Sequence, residues 1–238
     1  MDPPAVHPRT AERGEQGGGD ALTFGLLGSS YNAIGEPISA EAAYRSAILL
    51  QPETPEWKQG LIQALLKQQR YAEVSALCEE LLTRQPDRSD LWLVQASAYF
   101  GMGQPRKAAE NFELVDRMGK ANLAILNTLG DLYVNEGMWE LAGRAYRRGL
   151  DVGKDQPLDR PLRNVESLAQ RGARPEARTL LAAVKERYQS AAEEADRKKL
   201  LKVEARLAVA EGAGGEAVGV LEQIVAIDPL DGDALLLL

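Results

Sequence analysis

Hydrophobic and small residues along the chain recur with a period of 34. Tyr31, Leu65, Tyr99 and Tyr133 stand in one column of that period, Ala40, Val74, Ala108 and Ala142 in a second, and the bulky Tyr44, Cys78, Phe112 and Tyr146 in a third. Three columns in phase mark an internal repeat of supersecondary size. Gly35, Gly103 and Gly137 fall at one phase between the first two columns, where a chain leaving a helix needs a residue tolerant of positive φ. Each unit therefore reads as helix, glycine turn, helix. A pair this small cannot bury its own apolar face, so neighbouring pairs must stack into one continuous core.

The first unit reads Phe24-x2-Leu27-Gly28-x2-Tyr31, then Ala40-x3-Tyr44, then Pro52, and Trp92 and Leu129-Gly130-x2-Tyr133 echo it later. This pattern resembles the tetratricopeptide repeat, a helix-turn-helix unit. Small residues at Gly28, Ala96, Gly130, Ala40, Ala108 and Ala142 let paired helices approach while large neighbours interlock around them. The resemblance implies an all-α, right-handed α-solenoid (superhelix) of stacked antiparallel helix pairs, about six repeats plus a partial seventh. The units run over 21–54, 55–88, 89–122, 123–156, 158–190 and 198–231, the fifth carrying Gly172, Ala177 and Leu181 and the sixth Gly212, Ala217, Leu221 and Pro229.

After residue 156 the pattern departs from the family. Asn164 and Glu204 occupy the column of Leu27, Leu61 and Leu129, and Pro161 stands where Trp92 and Leu126 lie in their units. Proline there requires a first helical turn, which predicts a helix starting near Asp159 or Arg160. Between Ala177 and Ala217 the interval is 40 residues. The surplus coincides with Ser190-Ala-Ala-Glu193, a capping-box pattern, and predicts a first helix of unit six that is longer than its counterparts and runs to about Glu211. Residues 1–20, rich in Pro, Gly and charge, have almost nothing to bury and read as a flexible tail. Residues 232–238 read as the start of a truncated or capping helix ending in four leucines, a poor solvent-facing end. Leu235–Leu238 is accordingly a candidate for self-association.

Composition narrows the function. The 238 residues carry 28 Lys+Arg against 35 Asp+Glu, a net charge of −7, which argues against a nucleic-acid partner. No stretch is long and apolar enough for a membrane span, and the N-terminus lacks the apolar segment of a secretion signal. The expectation is a soluble protein, cytoplasmic by default and periplasmic or cell-envelope if an upstream signal has been removed.

Cys78 is the single cysteine and His7 the single histidine, so neither an intrachain disulfide framework nor a Cys/His metal site is expected. Gly212-x-Gly214-x-x-Ala217 imitates a dinucleotide loop but joins two predicted helices instead of opening a βαβ unit. No cofactor or metal is expected, and no residue set asks for catalysis. Arg144, Arg147 and Arg148, with Arg106 and Lys107 one unit earlier, read as a solvated outer face of second helices or as an anionic-partner patch.

In proteins that resemble this one, first helices line a concave groove. Carried over position by position, the resemblance implies a peptide-binding lining of Ser29, Asn32, Gln59, Gln63, Leu66, Lys67, Leu93, Ser97, Phe100, Asn127, Asp131, Val134 and Asn135. Glu166 and Gln170 follow in unit five, and Lys199, Lys202 and Arg206 in unit six. Two of the family's binding modes do not fit. The basic clamp for a C-terminal carboxylate would fall at Gly25/Ser29, Gln59/Gln63, Leu93/Ser97 and Asn127/Asp131, and none is basic. An amide ladder needs asparagine in one column, whereas Asn32, Asn127 and Asn135 occupy three. The expected function is a non-enzymatic scaffold binding a partner peptide or helix, with the basic trio favouring an acidic stretch. The alternatives are a self-associating structural module or the targeting half of a longer protein.

Overall fold

The computed structural model describes residues 20–188 and 193–237. Among these residues there are thirteen helices and no strand. The chain divides into two compact units, Met1–Gln104 and Pro105–Leu238. The predicted tail to residue 19 and the capping residues Ser190 to Ala192 lie outside the described residues.

The first unit holds α1 (Ala21–Ile34), α2 (Pro37–Leu50), α3 (Pro55–Lys67), α4 (Tyr71–Arg84) and α5 (Ser89–Gly101). Asp20, assigned above to the tail, instead caps α1, its carboxylate accepting from the Thr23 amide at 2.7 Å and satisfying an amide that the helix itself leaves unpaired. Proline opens α2 and α3, where its missing N–H has no cost. Consecutive helices pack on one another, and α1 also packs on α3. Between them sits the Tyr44 ring. A Cβ on Gly28 of α1 would lie 2.9 Å from that ring, and one on Gly60 of α3 only 2.2 Å from it. Two glycines thus make the slot that one tyrosine fills, and Gly60 was not among the small residues the repeat pattern singled out.

The second unit holds α6 (Pro105–Arg117), α7 (Leu123–Asn135), α8 (Trp139–Val152), α9 (Asp159–Gln170), α10 (Arg174–Tyr188), α11 (Glu194–Glu211), α12 (Gly214–Ile227) and α13 (Gly232–Leu237). Tyr146 of α8 lies over Gly130 of α7 as Tyr44 lies over Gly28. Pro161 is the third residue of α9 and fully buried, so the helix starts where its proline allows. Helix α11, at 18 residues, is the longest described, as the widened interval predicts. Its start at Glu194 follows a Glu193 that makes no side-chain cap hydrogen bond.

The columns become burial. Ala40, Val74, Ala108 and Ala142 are all 0% exposed. The turn phase holds Gly35, Gly103 and Gly137 at positive φ, and Gln69, 34 residues after Gly35, adopts φ 59°. The backbone keeps its left-handed residue there at a cost that glycine avoids. Leu27 departs from its column: Leu61 and Leu129 are buried, but Leu27 is 41% exposed. The polar replacements are satisfied. Buried Asn164 donates to Asn127 Oδ1 at 3.0 Å, and Glu204 accepts from Lys185 at 2.7 Å.

Candidate partner-binding surfaces

In the first unit the positions carried over from the repeat fall on α1, α3 and α5. Ser29 on α1, Gln63 and Lys67 on α3, and Ser97 and Phe100 on α5 are exposed, whereas Gln59, Leu66 and Leu93 are half-buried. Asn32 departs from the expectation of an exposed groove residue. It is 9% exposed, its Nδ2 donates to the Gly60 carbonyl at 3.0 Å, and Lys67 Nζ donates to the Asn32 carbonyl at 2.6 Å. Asn32 faces the neighbouring first helix, which is why solvent does not reach it. Its Oδ1 is left buried without a donor. An amide has two acceptor lone pairs on that oxygen, and leaving them unmet in a buried site costs about 1–3 kcal/mol. Helical spacing puts Ser29 one turn before Asn32, and Gln63 and Lys67 one and two turns after Gly60. The two hydrogen bonds across α1 and α3 therefore gather Ser29, Asn32, Gln63 and Lys67 on one face.

In the second unit the corresponding positions lie on α7, α9 and α11, and most are already engaged. Val134 is a correction: it is 3% exposed, because Leu132, Tyr133 and Val134 are buried in succession and the last turn of α7 is enclosed over a wide arc. Half-buried Asp131 accepts from Tyr146 OH at 2.7 Å and from Arg160 at 2.6 Å. Burial, and secondarily the bond to the Asp131 carboxylate, hold the Tyr146 phenol far above its ordinary pKa. Asn127 is tied to Asn164, and exposed Asn135 accepts from Arg171 at 3.4 Å.

The basic trio does come together, on α11, around a hollow of about 390 Å³ shared with Asp159, Leu162, Arg163, Glu166 and Val203. Its charge is internally matched. Lys199 pairs with Asp159 at 3.0 Å and Asp196 at 3.2 Å, Lys202 with Asp231 at 2.8 Å and Asp233 at 3.1 Å, and Arg206 with Glu166 at 2.8 Å. Asp231 is 6% exposed, and hydrogen bonds from Lys202 and Lys198 hold its carboxyl well below the usual range. Apart from Asp196, one turn before Lys199 on the same helix, these partners stand about 30 to 40 residues away in sequence, so local composition gave no sign of them. Gln170 is exposed at the end of α9.

The remaining chemistry is sparse. Cys78 is fully buried, and burial, then the nearby Asp90, pushes its thiol up to about 12, so the nucleophilic thiolate is scarce at neutral pH. Gly214 opens α12 directly after α11, so the glycine pair lies between helices, outside any βαβ unit. No group of three potential metal ligands occurs among the described residues, and His7 lies outside them. No helix among the described residues is long and apolar enough to cross a membrane. At the C-terminus, Ala234 is buried while Leu235 and Leu236 are 51% and 87% exposed; Leu238 lies outside the described residues.

Comparison with known proteins bears on the fold. No curated protein matches the chain. Among solved structures it is similar to the C-terminal part of a TPR repeat-containing protein from Cytophaga hutchinsonii, with a TM-score of 0.61 and 13% identity over 97% of this chain and 91% of that one. A tetratricopeptide repeat protein from Parabacteroides merdae gives 0.58 at 14% identity, covering 91% of this chain and 96% of that one. MamA from Desulfovibrio magneticus gives 0.57 at 15%, covering 74% and 99%. These identities speak for the fold alone. The family model for the tetratricopeptide repeat matches residues 8–153, more than half of the sequence, and with the 34-residue columns buried as that repeat buries them, the chain belongs to the tetratricopeptide repeat family.

Proposed function

We propose that this protein is a non-enzymatic interaction scaffold that receives an extended segment of a partner protein on the face shared by α1 and α3. Tetratricopeptide repeats are a protein-interaction architecture, and this reading assigns the contact to particular residues. The observation that supports it is the exposed, uncharged pair Ser29 and Gln63, held on one face by the hydrogen bonds that Asn32 and Lys67 make across α1 and α3. A peptide backbone supplies N–H donors and C=O acceptors at regular spacing, which exposed hydroxyl and amide side chains can meet. Uncharged Ser29 and Gln63 suit main-chain hydrogen bonding, with Lys67 at the margin.

Site-specific photo-crosslinking tests the assignment. A photoreactive residue placed at Ser29 or Gln63 should attach to a partner protein from the source lysate, and the same residue at exposed Glu79 on α4 should not. Equal attachment from both faces would refute the α1–α3 assignment.

A further inference from the structure

A second surface, on the helices opposite those discussed above, carries charge that the fold does not neutralise. Helices α8 and α10 pack side by side, and between them run two hollows of about 410 and 740 Å³ that share Arg144 and Arg147. Their α8 lining, Glu140, Gly143, Arg144, Arg147, Arg148, Leu150 and Asp151, recurs at three- and four-residue spacing and so forms one face of the helix. The two hollows are thus one trough.

Three features separate this trough from an ordinary solvated face. Its floor is kept low by Gly143 and Ala183. A Cβ on Gly143 would meet nothing nearer than Glu176 Cβ at 3.7 Å, so packing does not require glycine there, unlike Gly28, Gly60 and Gly130. A mid-helix glycine costs about 0.5–1 kcal/mol relative to alanine, and here its structural effect is an open floor. The charges are also ordered along the trough: Glu140 and Glu176 line one end, Arg144 and Arg147 the middle, and Asp151 and Glu186 the other end, where Arg148 and Arg187 also line the hollow but are engaged, Arg148 with Asp116 and Arg187 with the Lys154 carbonyl at 3.0 Å. Finally, among the described residues no ion pair involves Glu140, Glu176, Arg144, Arg147, Asp151 or Glu186, whereas Arg148, on the same helix, pairs with Asp116 at 2.7 Å.

We propose that this trough is a docking site for a segment of a partner protein with acidic residues at its centre and basic residues at both ends. The partner's carboxylates would take bidentate hydrogen bonds from Arg144 and Arg147, the geometry guanidinium groups favour. Its flanking lysines or arginines would meet Glu140 and Glu176 on one side and Asp151 and Glu186 on the other. The terminal carboxylates disfavour a uniformly anionic polymer such as RNA. The site shares no residue with the α1–α3 face, so either assignment can fail alone.

Fluorescence anisotropy with the full chain tests it, using a fluorescein-labelled peptide Lys-Ala-Glu-Glu-Ala-Glu-Glu-Ala-Lys and its charge-inverted counterpart. The first should bind and the second should not. Arg144→Glu combined with Arg147→Glu should weaken binding at least tenfold, and Gly143→Leu, which fills the floor, should do likewise with an unchanged circular dichroism spectrum. Lys199→Glu with Arg206→Glu should leave binding intact. Binding of neither peptide, equal binding of both, indifference to both trough variants, or displacement by oligouridylate would overturn the proposal.

Discussion

The first helices of the two units occupy equivalent places in the repeat and present opposite chemistry. On α1 and α3 the exposed side chains are Ser29, Gln63 and Lys67, and the buried Asn32 oxygen has no donor. On α9 and α11 the surface is charged, but Lys199, Lys202 and Arg206 are each held by carboxylates of the same chain. On the first surface a partner can hydrogen-bond exposed Ser29 and Gln63 without breaking an ion pair among the described residues. On the second it must replace ion pairs already made, so its net gain is small. Charge on a surface is thus a poor guide to binding until its internal partners are known.

The two surfaces are also held in place differently, and this can be broken selectively. The largest expected effect is Gly60→Val, which drives a side chain into the Tyr44 ring and should destabilise the first unit by about 3 kcal/mol, read by denaturant melting and insensitive to salt. A smaller loss is expected from Asp231→Asn, which removes the shared partner of Lys198 and Lys202. Because the Asp231 carboxyl titrates below its ordinary value, its contribution is present above the unfolded carboxylate pKa of about 3.9 and fades as pH falls toward the folded one. The melting difference between the parent and Asp231→Asn should therefore shrink below about pH 4.

Tyr146→Phe deletes the hydroxyl that donates to Asp131 and should cost about 1 kcal/mol. Gln69→Gly relieves the positive φ at the turn before α4 and should stabilise by about 0.5–1 kcal/mol. Smallest of all, Glu166→Gln should change stability by less than about 0.5 kcal/mol while freeing Arg206. If that variant gains affinity for the acidic peptide, internal pairing was what silenced the α11 surface.

Much of the fold was legible because it rests on contacts that repeat. Ala40, Val74, Ala108 and Ala142 reached zero exposure because each is the near-contact point of one helix pair, and a period of 34 reveals such points without coordinates. The proline of α9 and the length of α11 were legible for similarly local reasons. The candidate site was less so. Position nine of the repeat, Ser29, Gln63 and Ser97 in the first unit, is exposed as expected. Position twelve is not uniform: Phe100 is 57% exposed while Asn32 and Val134 are buried, because its exposure depends on which neighbouring helix lies beside the last turn. The ion pairs of α11 with other elements were invisible for the same reason, since they join residues brought together only by stacking; Lys199–Asp196, within the helix, is the exception. Gly60 escaped notice because the ring it accommodates, Tyr44, belongs to the preceding hairpin.

The most direct test of the scaffold account is hydrogen–deuterium exchange, comparing the free chain with its complex with the partner recovered by crosslinking. Added protection should fall on the amides of α1 and α3 and leave those of α9 and α11 unchanged. Protection confined to α9 and α11, with none on α1 and α3, would contradict it.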